Sequence, residues 1–348
     1  MDTFNGNHFN LDIDLISLVL IPHLEASIRY KIKECITSVH YEYGHTITKR
    51  KAFLGRKRAF EIVYGNCDKS FAALPRYTAA LQYFNPGTDI EWKLERSPKK
   101  SEYIFNYVFW AFKPAIDDFS HCRPVISIDG THVYGKYDIK LLIAVAVDAN
   151  GQIFPLTFAI CANESQETWT LFLNHLKEHN LPAWQEPYAY HRYCVRHLKA
   201  NIQKVHPNKD LHDLMWMAAT EHQEHKFRRH MESIRQEDER AYGWLIRHEL
   251  DKWTLHADGE KIWGILTTNV SESFNGLLKS GRGLHVTTMV RMSFKLMAER
   301  FVERDAAATS LMERGVEFMP LSMKKFEKYR RRANWYLFLQ YNHNRNVF

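Results

Sequence analysis

Between residues 124 and 179 three apolar runs and one amphipathic segment follow each other in an order that few folds accept. Pro124-Val-Ile-Ser-Ile128 has strand composition and ends at Asp129. Lys140-Leu-Leu-Ile-Ala-Val-Ala-Val147 and Gln152-Ile-Phe-Pro-Leu-Thr-Phe-Ala-Ile160 flank Asp148-Ala-Asn-Gly151. Apolar β-branched runs around such a turn are a hairpin signal. Glu167 to His179 then sets Trp169, Phe172, Leu173 and Leu176 on one helical face. The expectation is strand, strand, strand, helix.

That order opens a ribonuclease-H-like sheet, in which the first strand presents an acidic metal ligand. Asp129 stands at that position, and a second acidic landmark, Thr-Thr-Asn269-Val-Ser-Glu272-Ser-Phe-Asn275, follows far downstream. A pair of divalent ions roughly 4 Å apart needs at least three carboxylates converging on one point. Each landmark also has an ordinary reading. Asp129-Gly130 fits a type I′ turn, and Asn269 to Glu272 has capping-box spacing, with Asn269 as the cap.

Composition narrows the class. At 348 residues and 45% hydrophobic content the chain can fill a core and divide into two or three units. A formal net charge of +7 and a pI near 9.0 favour a polyanionic partner, although 40 acidic residues dilute the effect. Cys35, Cys67, Cys122, Cys161 and Cys194 are too far apart for a disulfide framework or a Cys-x-x-Cys zinc site, so a reducing compartment is expected. Leu15 to Pro22 is too short to span a bilayer, and no membrane partner is expected.

From Leu11 to about Tyr83 apolar residues recur at helical spacing. Residues 30 to 63 have the outline of a helix-turn-helix, broken at Gly44. Its second helix carries Lys49, Arg50, Lys51, Arg56, Lys57 and Arg58, suited either to phosphate contacts or to a solvated basic face. Asn85-Pro86-Gly87 closes this unit. Trp92 to Leu94, Tyr103 to Phe112 and Tyr188 to Cys194 read as further strands, and residues 197 to 266 as helices anchored by Trp216, Trp244 and Trp253. Beyond Glu272 the pattern stays helical. Lys324, Lys325, Lys328, Arg330, Arg331 and Arg332 make a second basic run, readable as an import patch or a solvated face. Cys194-Val-Arg-His197 lacks the partners of a zinc site and is expected to be a buried Cys and a hydrogen-bonded His.

The chain resembles the transposases of Mutator-like elements of plants, the MULE transposases. The resemblance rests on Asn85-Pro-Gly-Thr, Phe109-Trp-Ala-Phe-Lys-Pro, His121 through Asp129-Gly-Thr-His132, Leu141 through Asn150, His191-Arg-Tyr-Cys-Val-Arg-His-Leu198, Asp213-Leu-Met-Trp216 and Gly264 through Gly276. It extends over nearly the whole chain. The resemblance implies that Asp129 and Glu272 are the outer ligands of a DDE-type site holding Mg²⁺ or Mn²⁺, which activates water and then a DNA 3′-hydroxyl. It also implies that His132, Cys194, His197, Asn269 and Asn275 are signature residues, and that the DNA partner is a terminal inverted repeat.

The chain departs from the family where Lys177-Glu-His-Asn180 runs directly into Leu181-Pro-Ala-Trp184. The family carries a strand with the second Asp there, so a central strand and its ligand are expected to be missing. Glu186 is the best-placed surrogate, ahead of Glu178 and Asp148. The family's SWIM zinc finger has no counterpart after Cys194, since no Cys follows it.

The expected architecture is α+β or α/β: a helical DNA-binding unit (1–84), a truncated ribonuclease-H-like mixed sheet (85–198), a helical insertion (199–266) and a helical part with Glu272 (267–348). The expected function is a degenerate or domesticated, catalytically impaired transposase that binds DNA in the nucleus. Alternatives are an active transposase, with an exon missing near Asn180-Leu181 or with Glu186 as ligand, and a regulatory partner of intact subunits. Self-association or pairing with intact transposase follows from either.

Overall fold

The computed structural model describes residues 11–27, 30–65, 67–97, 103–133, 137–179, 190–259, 261, 264–278 and 285–334. Four helices come first: α1 (Ile13–Ala26), α2 (Ile32–Tyr43), α3 (Lys49–Tyr64) and α4 (Cys67–Phe84). Asp12 caps α1 by accepting from Leu15 N at 2.8 Å, and Thr48 caps α3 by accepting from Lys51 N at 3.2 Å. Gly44 ends α2 in the left-handed region (φ 69°), so the break expected between α2 and α3 is present. α3 packs chiefly on α1, and it can do so because Gly55 has no side chain: a Cβ there would overlap Ile16 Cγ2.

The five strands are β1 (Asp89–Arg96), β2 (Tyr103–Ala111), β3 (Ser127–Val133), β4 (Ile139–Val147) and β5 (Ile153–Cys161), in the order β1-β2-β5-β4-β3. Every pairing is antiparallel, so among the described residues the sheet is not the expected mixed one. A parallel neighbour for β3 would need a crossover through the segment after the next helix, and residues 180–189 lie outside the described residues. Among the described residues β3 is therefore an edge strand, paired only with β4.

The β4–β5 hairpin forms as expected. Gly151 N donates to Asp148 O at 3.0 Å, Asp148 N to Gln152 O at 3.0 Å, and Gly151 takes φ +76°, the left-handed residue of a three-residue loop. All nine residues of β4 are buried, which explains a continuous apolar run rather than alternation: both faces of the sheet are covered. Short α5 (Lys113–Asp118) follows β2, and α6 (Gln166–Glu178) covers one face through Phe172 on Phe109. α11 (Asn269–Leu278) and α12 (Val286–Glu313) cover the other, through Phe274 on Phe158 and a 2.9 Å bond from Trp110 Nε1 to Ser293 Oγ.

The insertion consists of α7 (Val195–Val205), α8 (Lys209–Thr220), α9 (Glu224–Glu237) and α10 (Glu239–Ile246). It has its own apolar cluster, from Val195 to the fully buried Trp253, separate from the cluster that joins the N-terminal helices, sheet, α6, α11 and α12. Helices this short gain their stability from such packing. Trp216 is not an anchor: it is 37% exposed, with Lys199 Nζ 6.0 Å from its ring centre. Residues 190–194 do not form the expected strand, and the rest of that segment lies outside the described residues. α13 (Pro320–Ala333) ends the described chain with no buried residue.

Candidate acidic site

β3 does not stop at Asp129. The strand continues through Gly130 to Val133, so Asp129-Gly130 is not the turn that its dipeptide allows. A Cβ on Gly130 would lie 3.1 Å from Glu164 Oε1 and 3.2 Å from Trp169 Cζ2, which puts residue 130 on the α6 face. Alternation along the strand then turns Asp129 to the opposite face, toward α11.

Two bonds seat α11 along β3. The hydroxyls of Ser127 and Ser271 meet at 2.6 Å, and Asn275 Nδ2 donates to Asp129 Oδ2 at 2.8 Å. Two strand residues advance about 6.8 Å. Four helical residues advance about 6.0 Å. The repeats nearly match, so one helix face tracks one strand face for a full turn.

Glu272 lies one turn before Asn275, on the same side of α11. Asn269 does not cap α11: Glu272 N donates to Thr268 O at 2.9 Å, which makes Thr268 the capping position and leaves the Glu272 carboxylate to other partners. It meets the first turn of α7. Arg196 Nη1 donates to Glu272 Oε2 and, at 3.0 Å, to Asn269 Oδ1, while His197 Nε2 stands 3.8 Å from Glu272 Oε1.

Cys194 is partly buried rather than buried, and its sulfur accepts from both Thr268 N and Thr268 Oγ1 at 3.3 Å. Val195 N also donates to Leu266 O at 3.0 Å. The Cys-x-x-His pair thus joins the start of α7 to the start of α11 and turns His197 to the acid. Asp129, Glu272, His197, Asn269 and Asn275 come together; His132 does not. It is exposed and lies on the other side of the strand from Asp129, with Lys140 Nζ at 2.8 Å and Asp138 at 3.6 Å. Glu186 lies outside the described residues.

Burial is the largest influence on Asp129 and raises its carboxyl above the ordinary range. The Asn275 bond, the charge of His197 and the Gly130 amide oppose that rise, and the charge of Glu272 adds to it. Asn275 is 3% exposed and its Oδ1 has no hydrogen-bond partner among the described residues, so donation to Asp129 sets its amide orientation.

A two-ion carboxylate centre needs more donors than these. Asp129 is already bonded to Asn275, and the two oxygens of Glu272 face the Arg196 guanidinium and the His197 imidazole. Among the described residues no group of three or more His, Cys, Asp or Glu side chains could hold a metal ion. Among the described residues the donor set does not fit a metal pair. Arg196 was not readable as a site residue, because no local pattern links it to Glu272 across 76 positions.

The six cations nominated on α3 divide. Lys51 Nζ donates to Leu11 O at 3.2 Å, Arg56 Nε to Tyr30 O at 2.8 Å, and Arg58 Nε to Asp14 Oδ1 at 2.8 Å. Lys49, Arg50 and Lys57 are exposed, as is Arg58 despite its bond to Asp14. The six cations of the C-terminal run are exposed on α13. No helix among the described residues is long and apolar enough to cross a membrane.

The family model of the MULE transposase domain matches residues 125–186, from just before β3 through β4, β5 and α6. No curated protein matches the chain.

Proposed function

We propose that this chain, a Mutator-like transposase family member, is a transposase-derived DNA-binding protein whose strand-cleaving chemistry is impaired. The observation that carries this reading is the state of the acidic pair. Two carboxylates lie within electrostatic reach of each other on the α11 side of the sheet, one bonded to an amide and the other to a guanidinium. The order β3, β4, β5, α6 supports a ribonuclease-H-like ancestry with a DDE-type site, and among the described residues β3 pairs with β4 alone.

DNA binding draws support from α3. Lys49, Arg50 and Lys51 fill its first turn, and no acidic residue is there. Cations at a helix N-terminus oppose the macrodipole by about 0.3–1 kcal/mol each. A polyanion lying across Lys49, Arg50 and Lys57 offsets that cost and releases counterions. The partner is duplex DNA, with terminal inverted repeats as the candidate target. The exposed run on α13 is proposed to direct nuclear import, and pairing with itself or with intact transposase subunits is the proposed route to regulation.

The test uses a labelled terminal-inverted-repeat duplex with Mg²⁺ or Mn²⁺. Salt-sensitive binding without nicking is expected. Metal-dependent nicking abolished by Asp129→Ala would overturn the impaired reading, and failure to bind at low salt would overturn the DNA reading. A transcript longer than this chain across the codons for Asn180 and Leu181 would favour an active enzyme instead.

A further inference from the structure

We propose that Arg196 is the resident cation of the acidic site: its guanidinium takes the place a divalent ion would need at Glu272 and clips the helical insertion to the sheet layer. The inference rests on the impaired reading and starts from the misfit between these residues and a metal pair. One nitrogen of Arg196 bridges Glu272 Oε2 and Asn269 Oδ1, two oxygens one helical turn apart on α11. From the next residue, His197 Nε2 approaches the other carboxylate oxygen at 3.8 Å. Consecutive residues of one helix thus address both oxygens of Glu272.

An ordinary surface ion pair has little worth, because two long side chains must be ordered in water. This pair differs in how its backbones are held. Val195 N to Leu266 O and Thr268 N to Cys194 Sγ tie the starts of α7 and α11 together just before it in both segments. The ordering cost is therefore partly met before the side chains meet. The location adds a role: α7 belongs to the insertion's apolar cluster, whereas Phe274 of α11 belongs to the cluster of the sheet. Arg196 spans the two. Its side chain is 57% exposed and that of Glu272 32%, so solvent screens the pair and its contribution to stability is modest. The same fixed positive charge beside the carboxylate also repels a divalent ion.

The test titrates the full chain with Mn²⁺ by calorimetry and follows its melting temperature. The wild-type chain is expected to show weak Mn²⁺ uptake and an unchanged Tm between EDTA and Mg²⁺. Arg196→Ala is expected to tighten Mn²⁺ binding about tenfold by removing the repulsion. It is also expected to lower Tm by about 2 °C. Arg196→Gln, which keeps the shape and removes the charge, serves if the alanine variant does not fold. The exchange of Arg196→Glu with Glu272→Arg is expected to restore Tm. Tight Mn²⁺ binding by the wild-type chain, or an unchanged affinity and Tm in both single variants, would overturn the clip. Nicking by the wild-type chain reports on the impaired reading instead, so the two failures are told apart.

Discussion

Asn275 donates a 2.8 Å hydrogen bond from its Nδ2 to Oδ2 of Asp129, which lies 146 residues earlier in the chain. The bond holds a buried amide against a carboxylate whose ionised form burial disfavours. It explains how a charge can persist there, and among the described residues it leaves Asn275 Oδ1 without a partner.

Asp129→Asn is expected to raise thermal stability near neutral pH. The folded-state pKa of Asp129 is raised, so folding favours its protonated form, and the charged form destabilises the fold once pH exceeds that value. Below the ordinary value of 3.8 the carboxyl is neutral in both states, and the advantage of the variant vanishes. The new amide also supplies a donor for Asn275 Oδ1. Melting curves against pH check this; a variant less stable than wild type near neutrality would contradict it.

The α3 cations should separate into two kinds. Glutamate at Lys49, Arg50 and Lys57 is expected to lower DNA affinity and flatten its salt dependence, the slope falling by about 0.9 for each phosphate no longer neutralised. Thermal stability should change little, because these side chains are exposed. Filter binding over a salt series is the measurement, and an unchanged slope would remove α3 from the interface.

Arg56→Ala should act on stability. Its guanidinium bonds Tyr30 O and lies 4.5 Å from the Phe60 ring centre. A hydrogen bond from a charged group contributes about 1.5–3 kcal/mol. Denaturant unfolding is expected to show a loss of that order, with DNA affinity per folded molecule preserved.

Gly55→Ala tests the contact between α1 and α3. Alanine gains about 1 kcal/mol of helix propensity over glycine. Its Cβ would overlap the branched end of Ile16, which is fully buried and has little room to yield. Overpacking costs about 1–3 kcal/mol. Sterics are expected to win in thermal melts, and because Ile16→Ala alone costs about 2–5 kcal/mol, the double variant should lose less than the sum of the two single losses.

Much of the fold was legible locally. The β4–β5 hairpin, the amphipathic α6 and the break at Gly44 follow from turn chemistry and periodicity acting within a few residues. Asp129 and Glu272 could be nominated from the strings of neighbours around them, whereas His197, Asn269 and Asn275 entered through the resemblance to the Mutator-like transposases. What those strings could not convey was partnership. Asp129-Gly130 carries a turn signal, yet pairing with Ile143 and Leu142 of β4 keeps it extended. The basic cluster of α3 reads as one surface, yet Lys51, Arg56 and Arg58 bond Leu11, Tyr30 and Asp14 of the preceding segments.

The sequence by itself determined the strand-strand-strand-helix order, the helical ends and the two acidic landmarks, because backbone preference and hydrophobic period are set by near neighbours. Only the tertiary structure decided that Arg196 meets Glu272, that His132 turns away from Asp129, and which cations of α3 face solvent. Those outcomes depend on charges and faces brought together across long stretches of chain, where the energy of a contact exists only after the backbone has folded.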